Sequence, residues 1–448
     1  MLQTLRNAWR VDEIRKKLLF VLFMVLIYRL GNVVTVPYID TQLLSSYFNS
    51  QQNTLLGLLN TMSGSALERA SIFAMSIQPY INASIIIQLL TIAIPALERL
   101  QKEGGEDGKK RLEKYTRYST VLIALLQGYG YYVLIKTGNG SASFLADGAE
   151  GLWPAVVIIA SFITGSALLM WMGEQITEFG IGNGISIILF VSIVSRFPTQ
   201  VYNIIIGRPA TTSSSGEVVP ATGFANDMGH WWLYLLMIVG ALAIMALIVV
   251  VTNSERRIPV QYSKRVVGRK MYGGQSTHLP MKVNMSGVLP IIFAQSIASV
   301  PATIATFVPR WSNGWFIKLF EPTGIPYAVI YFLLIVFFSF FYSTIQFNPI
   351  EIANNLRKNG GFIPGFRSGK PTSEFIQKVL TKITLFGAIY LAIIAITPIL
   401  ISHFSETAAS SGISLGGTSI IIVISVALET IKQLEAQLLM RHYKGFLE

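Results

Sequence analysis

Cysteine is absent from the chain. Disulfides and thiolate metal sites are therefore excluded. The four histidines, His230, His278, His403 and His442, stand singly, so no histidine cluster offers a metal site. Charge is scarce as well: only 13% of residues are Asp, Glu, Lys or Arg, against about 25% in a soluble domain. No Gly-x-x-x-x-Gly-Lys-Ser/Thr string occurs, which removes the commonest nucleotide-binding fingerprint. Ion-coupled carriers place ionisable side chains at membrane depth. Here no apolar stretch has Asp, Glu, Lys or His at its centre. That scarcity argues against a secondary transporter for a small solute and against an intramembrane protease. No metal or cofactor is expected.

What fills the chain instead is apolar. Hydrophobic residues make up 52% and the mean hydropathy is +0.53, the composition of a polytopic membrane protein. Run length marks ten spans: residues 18–35, 71–95, 119–135, 152–172, 184–206, 231–252, 288–308, 325–344, 379–401 and 412–434. The tenth is the least apolar, and its sequence suits a channel-lining or a surface-lying helix equally. The N-terminal run MLQTLRNAWRVDEIRKK is not expected to be a cleaved signal peptide, because the apolar stretch after it is too long and lacks a small-residue cleavage site.

The formal charge of +12 is distributed unevenly. The N-terminal tail, the segments 96–118, 253–287 and 345–382, and the C-terminal end hold 28 of the 35 Lys and Arg residues. Excess Lys and Arg mark the cytoplasmic side, so both termini are expected there. The Ser/Thr/Gly-rich stretch 207–230 separates five spans from five more. Halves with odd span counts run in opposite directions, the geometry of inverted repeats around a central pathway. The expected divisions are 1–17, a cytoplasmic segment; 18–206, the first half; 207–230, an outer connector; 231–434, the second half with cytoplasmic loops 253–287 and 345–378; and 435–448, a cytoplasmic tail.

Four stretches carry more than hydropathy. Residues 54–70 are apolar but broken by Gly57, Ser63, Gly64 and Ser65 and charged at Glu68 and Arg69, so they are too interrupted to span. They read either as an ordinary outer loop or as a short re-entrant element in a water-filled cavity, where irregular backbone is tolerated. Residues 173–186, GEQITEFGIGNGIS, read as a loop with a tight glycine turn before a helix. Gln88, Gln127 and Gln295 are amides within spans 2, 3 and 7, where such groups seek interhelical partners. Residues 255–265 alternate as a strand does, and 276–284 are positioned to return beside them, with Arg269 and Lys270 near the tip.

The run Pro79-Tyr80-Ile81-Asn82-Ala83-Ser84-Ile85-Ile86-Ile87-Gln88-Leu89-Leu90 closely resembles the second transmembrane segment of the SecY family, and residues 173–186 resemble that family's signature before its fifth span. The chain departs from the pattern at Ser76, where glycine is usual, at Phe179, where a basic residue is common, and at Ser368, where proline is usual. The resemblance implies an all-α polytopic membrane protein: ten transmembrane helices in two pseudo-symmetric inverted five-helix halves around a central pore, with a short re-entrant plug helix. It implies a protein-conducting channel, and no enzyme, that passes unfolded secretory polypeptides across the bacterial plasma membrane and releases transmembrane segments sideways into lipid. SecA or the ribosome would drive it, with SecE and SecG as partner subunits.

Carried over residue by residue, the implied pore ring is Ile81, Ile85, Ile185, Leu189, Ile292 and Ile422. Each of the first two pairs is spaced i, i+4 and so shares one helix face. A collar of aliphatic side chains offers ions no replacement for hydration. The implied plug includes Leu58, Met62, Gly64 and Leu67. The implied lateral gate, where signal sequences exit, includes Gln88, Gln127, Gln295 and Ser296. Docking of SecA and of ribosomal RNA falls to Arg256, Arg257, Lys264, Arg265, Arg269, Lys270, Arg357, Lys358 and Arg367, since clustered cations suit phosphate.

Overall fold

The computed structural model describes residues 6, 8–50, 57, 60, 63–138, 143–146, 148–149, 151–205, 211–212, 218–219, 231–262, 265–267, 270–272, 276–285, 287–307, 319–320, 324–404 and 416–444. Every expected span falls on a helix. These are α1 (Asp12–Gly31), α3 (Gln78–Ala93), α5 (Gly105–Thr137), α6 (Leu152–Phe179), α7 (Gly184–Ile205), α8 (Trp231–Asn253), α9 (Leu289–Phe307), α10 (Ile325–Gln346), α12 (Lys370–Phe404) and α13 (Gly416–Lys444). Shorter helices are α2 (Thr41–Ser50), α4 (Pro95–Glu103) and α11 (Pro349–Lys358). By length and composition alone, four stretches among the described residues are able to cross a membrane: Gly105–Thr137, Leu152–Phe179, Ile325–Lys358 and Lys370–Thr397. The bent pair Gln78–Ala93 and Pro95–Gln101 makes a fifth if counted as one span.

Several boundaries differ from the expectation, each for a local reason. Span 2 does not start at Ser71. Residues 71–77 are turns, and the helix begins at Gln78 with Pro79 in its first turn, where a missing N–H costs nothing. Its other end is set by Pro95, which forces Ile94 into extended backbone (φ −110°, ψ 110°) and bends the chain by 105° into α4. The basic segment 96–118 is helical rather than looped, divided between α4 and the first turns of α5. Likewise α6 runs on through Phe179, so the loop expected over 173–186 shrinks to residues 180–183. The loop expected over 345–378 holds α11, and α12 already begins at Lys370. The tail expected over 435–448 is helical through Lys444.

The tenth span is resolved by packing. Helix α13 lies against α7, α8 and α12, with Ile421, Ile422, Ser425, Val426 and Leu434 buried. It is an interior helix that keeps a serine because its neighbours, and not lipid, surround that face.

Four apolar clusters hold the fold. The largest is central, and α1, α3, α6, α7, α8, α9, α10, α12 and α13 all contribute to it. A second joins Leu44 and Phe48 of α2 to Leu67, Ala70, Ala124, Ile135 and Phe162. Strands β1 (Thr211–Thr212) and β2 (Val218–Val219) pair antiparallel with each other. A third cluster stabilises a small sheet: β3 (Glu255–Tyr262) pairs antiparallel with β6 (Ser276–Lys282) and with the two-residue β7 (Gly361–Phe362), and buries Ile258, Val260 and Met281 against Leu356, Ile363 and Ile376. The fourth gathers Ala8, Ile14, Ile181 and Leu434, with Leu438 beside them, so the beginning of α1, the turn before α7 and the last helix meet at one end.

Candidate channel site

The six residues named for the collar all belong to, or pack on, the largest apolar cluster. Ile81 and Ile85 of α3, Leu189 of α7, Ile292 of α9 and Ile422 of α13 belong to the central cluster, each at most 4% exposed, and Ile185 packs against it. They arrive from four helices that contact one another in two pairs, α3 with α9 and α7 with α13. Burying an isoleucine side chain stabilises by about 1.5–3 kcal/mol, so packing in this cluster fixes these side chains.

The glycine turn explains how α7 is aimed. Asn183 caps the helix, its Oδ1 accepting from the N–H groups of Ile185 (3.0 Å) and Ser186 (3.4 Å). Thr177 Oγ1 donates to the carbonyl of Gly173 and accepts the N–H of Gly184 (2.9 Å), tying the start of α7 to the end of α6. A Cβ at Gly184 would stand 1.9 Å from the carbonyl oxygen of Gly173, so only glycine permits this approach. The motif is thus a clamp that sets the direction of Ile185 and Leu189.

One face of α7 continues from the collar toward the opposite end of the bundle from the termini. Residues 185, 189, 192 and 196 follow at i, i+4, i+7 and i+11. Past Leu189 this face meets Gly64 and Glu68. Gly64 lies in the left-handed region (φ +68°), and a Cβ on it would come within 3.0 Å of Ser192 O and Ser195 Oγ. Tyr28 Oη stands 2.7 Å from Ser192 Oγ and reaches toward the Ser63 carbonyl (3.4 Å). Asn60 and Glu68 grip each other twice: Asn60 Nδ2 donates to Glu68 Oε2 (2.7 Å), and the Glu68 N–H donates to Asn60 Oδ1 (3.1 Å). Arg196 Nη2 lies 3.8 Å from the same Glu68 oxygen, both side chains 17% exposed. Of the sequence-named plug residues, Leu67 is buried in the second cluster and Gly64 packs on α7 as just described, whereas Leu58 and Met62 lie outside the described residues. The plug helix expected over 54–70 is short at most: Gly57 and Asn60 are helical, and 63–70 are turns.

Tyr28, Asn60, Ser192 and Arg196 are absent from the residues named by sequence. The available signals were Arg196 as a cation within span 5 and Glu68 as an acid within the broken stretch. Nothing in the sequence alone joined them.

Among the described residues no hydrogen bond joins these amides to one another. Helices α3, α5 and α9, which carry Gln88, Gln127, Gln295 and Ser296, pack mutually. Gln88 Nε2 donates to Ser84 on its own helix (3.4 Å). Gln88 Oε1, Gln295 Oε1 and Ser296 Oγ are buried without a hydrogen-bond partner.

The basic residues lie on and around the small sheet. Arg256, Arg257, Arg357, Lys358 and Arg367 are exposed. Arg257 pairs with Glu255 at 2.7 Å. Arg265 and Lys270 sit in the paired strands β4 (Arg265–Val267) and β5 (Lys270–Tyr272), and Lys264 and Arg269 lie outside the described residues. The loop bearing Arg367 is anchored by stacking of Phe366 on Phe375, ring centroids 4.2 Å apart, and by Thr372 Oγ1 donating to the Arg367 carbonyl.

Comparison with known proteins bears on the family and the fold. The SecY family model matches residues 71–431. A Streptomyces scabiei protein named protein translocase subunit SecY is 40% identical over 462 residues, covering 100% of both chains. A Mycobacterium bovis protein of the same name is 40% identical over 465 residues, again covering 100% of both. Among solved structures, one described as a protein-conducting channel superposes with a TM-score of 0.61 at 16% identity, covering 94% of this chain and 92% of that one. Sec61 in a canine ribosome–channel complex from the endoplasmic reticulum gives 0.58 at 14% identity, with the same coverages. Those two likenesses bear on the fold, and the whole-length identity bears on descent: the chain belongs to the SecY family.

Proposed function

We propose that this chain is the channel subunit of a protein translocase in a bacterial plasma membrane, with ten spans in two inverted halves and both termini cytoplasmic. Unfolded polypeptide passes through the collar of Ile81, Ile85, Ile185, Leu189, Ile292 and Ile422. Residues 54–70 close the outer side, and the seam of α3, α5 and α9 opens sideways to release apolar segments into lipid. The basic sheet and the Arg367 loop receive SecA or the ribosome, which supply the work, and SecE and SecG assemble around the halves. The observation that supports this reading is that the six aliphatic residues, from four helices, share one buried cluster, and that Gly64 of the irregular segment packs on the helix that carries two of them.

A narrow aliphatic collar suits the task. It excludes ions by denying them hydration, and it has no polar group to hold a passing chain. The chain itself supplies no chemistry, so the driving energy comes from the docked partner.

Because the protein has no native cysteine, single cysteines at Ile81 and Ile292 are unique probes. A preprotein stalled in mid-passage should crosslink to both. Crosslinks to neither position, with translocation intact, would defeat the assignment.

A further inference from the structure

We propose that Glu68 and Arg196 are positioning residues that hold residues 60–70 in the closed arrangement, with Asn60 fixing the carboxylate. This rests on the reading of 54–70 as the plug of the channel. Arg196 is anchored in α7 on the same face as Ile185 and Leu189, whereas Glu68 belongs to the segment that must leave for a polypeptide to pass. The 3.8 Å approach between them therefore bridges a fixed element and a removable one. Asn60 is 2% exposed, and its two hydrogen bonds to Glu68 leave the carboxylate aimed at α7. Residues 192, 195 and 196 stand at i, i+3 and i+4, so the hydroxyl contacts and the ion pair act on one helix face.

A partly buried ion pair is screened less than an exposed one. Losing one partner leaves a charge half-buried beside an apolar collar, which favours departure of the segment into water. Opening is then set by charge as well as by apolar packing, independently of any signal sequence.

The test uses the full chain in proteoliposomes. Ala66, 1% exposed in the segment, is replaced by cysteine, and its modification by a membrane-impermeant maleimide reports departure of 60–70. In this background Arg196→Gln and Glu68→Gln should each speed labelling by about three- to tenfold, at or somewhat above what an exposed pair is worth. Arg196→Lys, which keeps the charge, should label at nearly the parent rate. Parent-rate labelling in both Gln variants would overturn the proposal. So would equal acceleration in Arg196→Lys and Arg196→Gln, because packing and not charge would then hold the segment. No preprotein is involved, so this outcome is separable from failure of the crosslinks at Ile81 and Ile292.

Discussion

The phenol of Tyr28 and the hydroxyl of Ser192, 164 residues apart in the chain, meet at 2.7 Å in the interior. Ser192 Oγ already donates to the Ile188 carbonyl, so Tyr28 is the donor between them. This bond fastens α1 to α7 at the level where Ser63 crosses over, and Tyr28 stacks on Phe73 from the same irregular segment, centroids 5.8 Å apart. One side chain thus touches a wall helix and both parts of the segment between α2 and α3.

Tyr28→Phe should therefore cost about 0.5–1.5 kcal/mol, the net worth of a buried neutral hydrogen bond. Thermal unfolding in detergent reads it. In a double-mutant cycle Ser192→Ala should add little to Tyr28→Phe, because both remove the same bond. Simple additivity of the two losses would show that the contact carries no energy.

Gly184→Ala tests the clamp before α7. The added methyl would sit 1.9 Å from the Gly173 carbonyl oxygen, an atom of a neighbouring helix backbone that has no rotamer to escape into. Overpacking of this kind costs about 1–3 kcal/mol or more, and the thermal midpoint should fall accordingly. Because Ile185 follows directly, the variant should also misalign the collar and raise the ion leak of proteoliposomes. A variant as stable and as tight as the parent would remove the clamp from the account.

Legibility in the sequence followed the range of the interactions. Helix positions were readable because the apolar composition that marks them is local. The strand pair β3 and β6 was readable from the alternation that buries Ile258 and Val260. The glycine motif was recognised as a string, but its physical content was hidden: the loop is short because α6 continues to Phe179. The start of α3 was misjudged because residues 71–77 are as apolar as a span, while their backbone is held by non-helical bonds such as the Val36 N–H to the Ala70 carbonyl and the Ile72 N–H to the Val34 carbonyl. Those bonds pair segments far apart in sequence, which hydropathy does not register. Tyr28 and Arg196 escaped notice for the same reason, since a single polar group gains meaning only from a distant partner.

At the seam of α3, α5 and α9, the buried oxygens of Gln295 and Ser296 lack partners. Such groups weaken the closed packing, by about 1–3 kcal/mol for an unmet polar atom. Gln295→Leu should accordingly tighten the seam. The expected result is reduced export of a substrate with a defective signal sequence, while a substrate with a strong signal is little affected. Gln88→Leu should act in the same direction. Unchanged export of the defective substrate in both variants would leave these amides as plain helix contacts.

Arg367 stands on a loop whose shape does not depend on its guanidinium. Phe366 on Phe375 and the bond from Thr372 to the main chain hold the loop, and the Arg367 side chain is exposed. Arg367→Glu should change folding stability by no more than about 0.5 kcal/mol, as surface substitutions do. It reverses a charge, however, on the face where a partner is to dock. SecA-driven translocation should be lost although the protein inserts and unfolds as the parent does. Ribosome binding should weaken and become less sensitive to salt, the slope of log K against log salt falling by about two contacts' worth if Arg367 meets phosphate and the introduced carboxylate repels it. Translocation at the parent rate would take Arg367 out of the docking surface and leave its charge with no role beyond membrane topology.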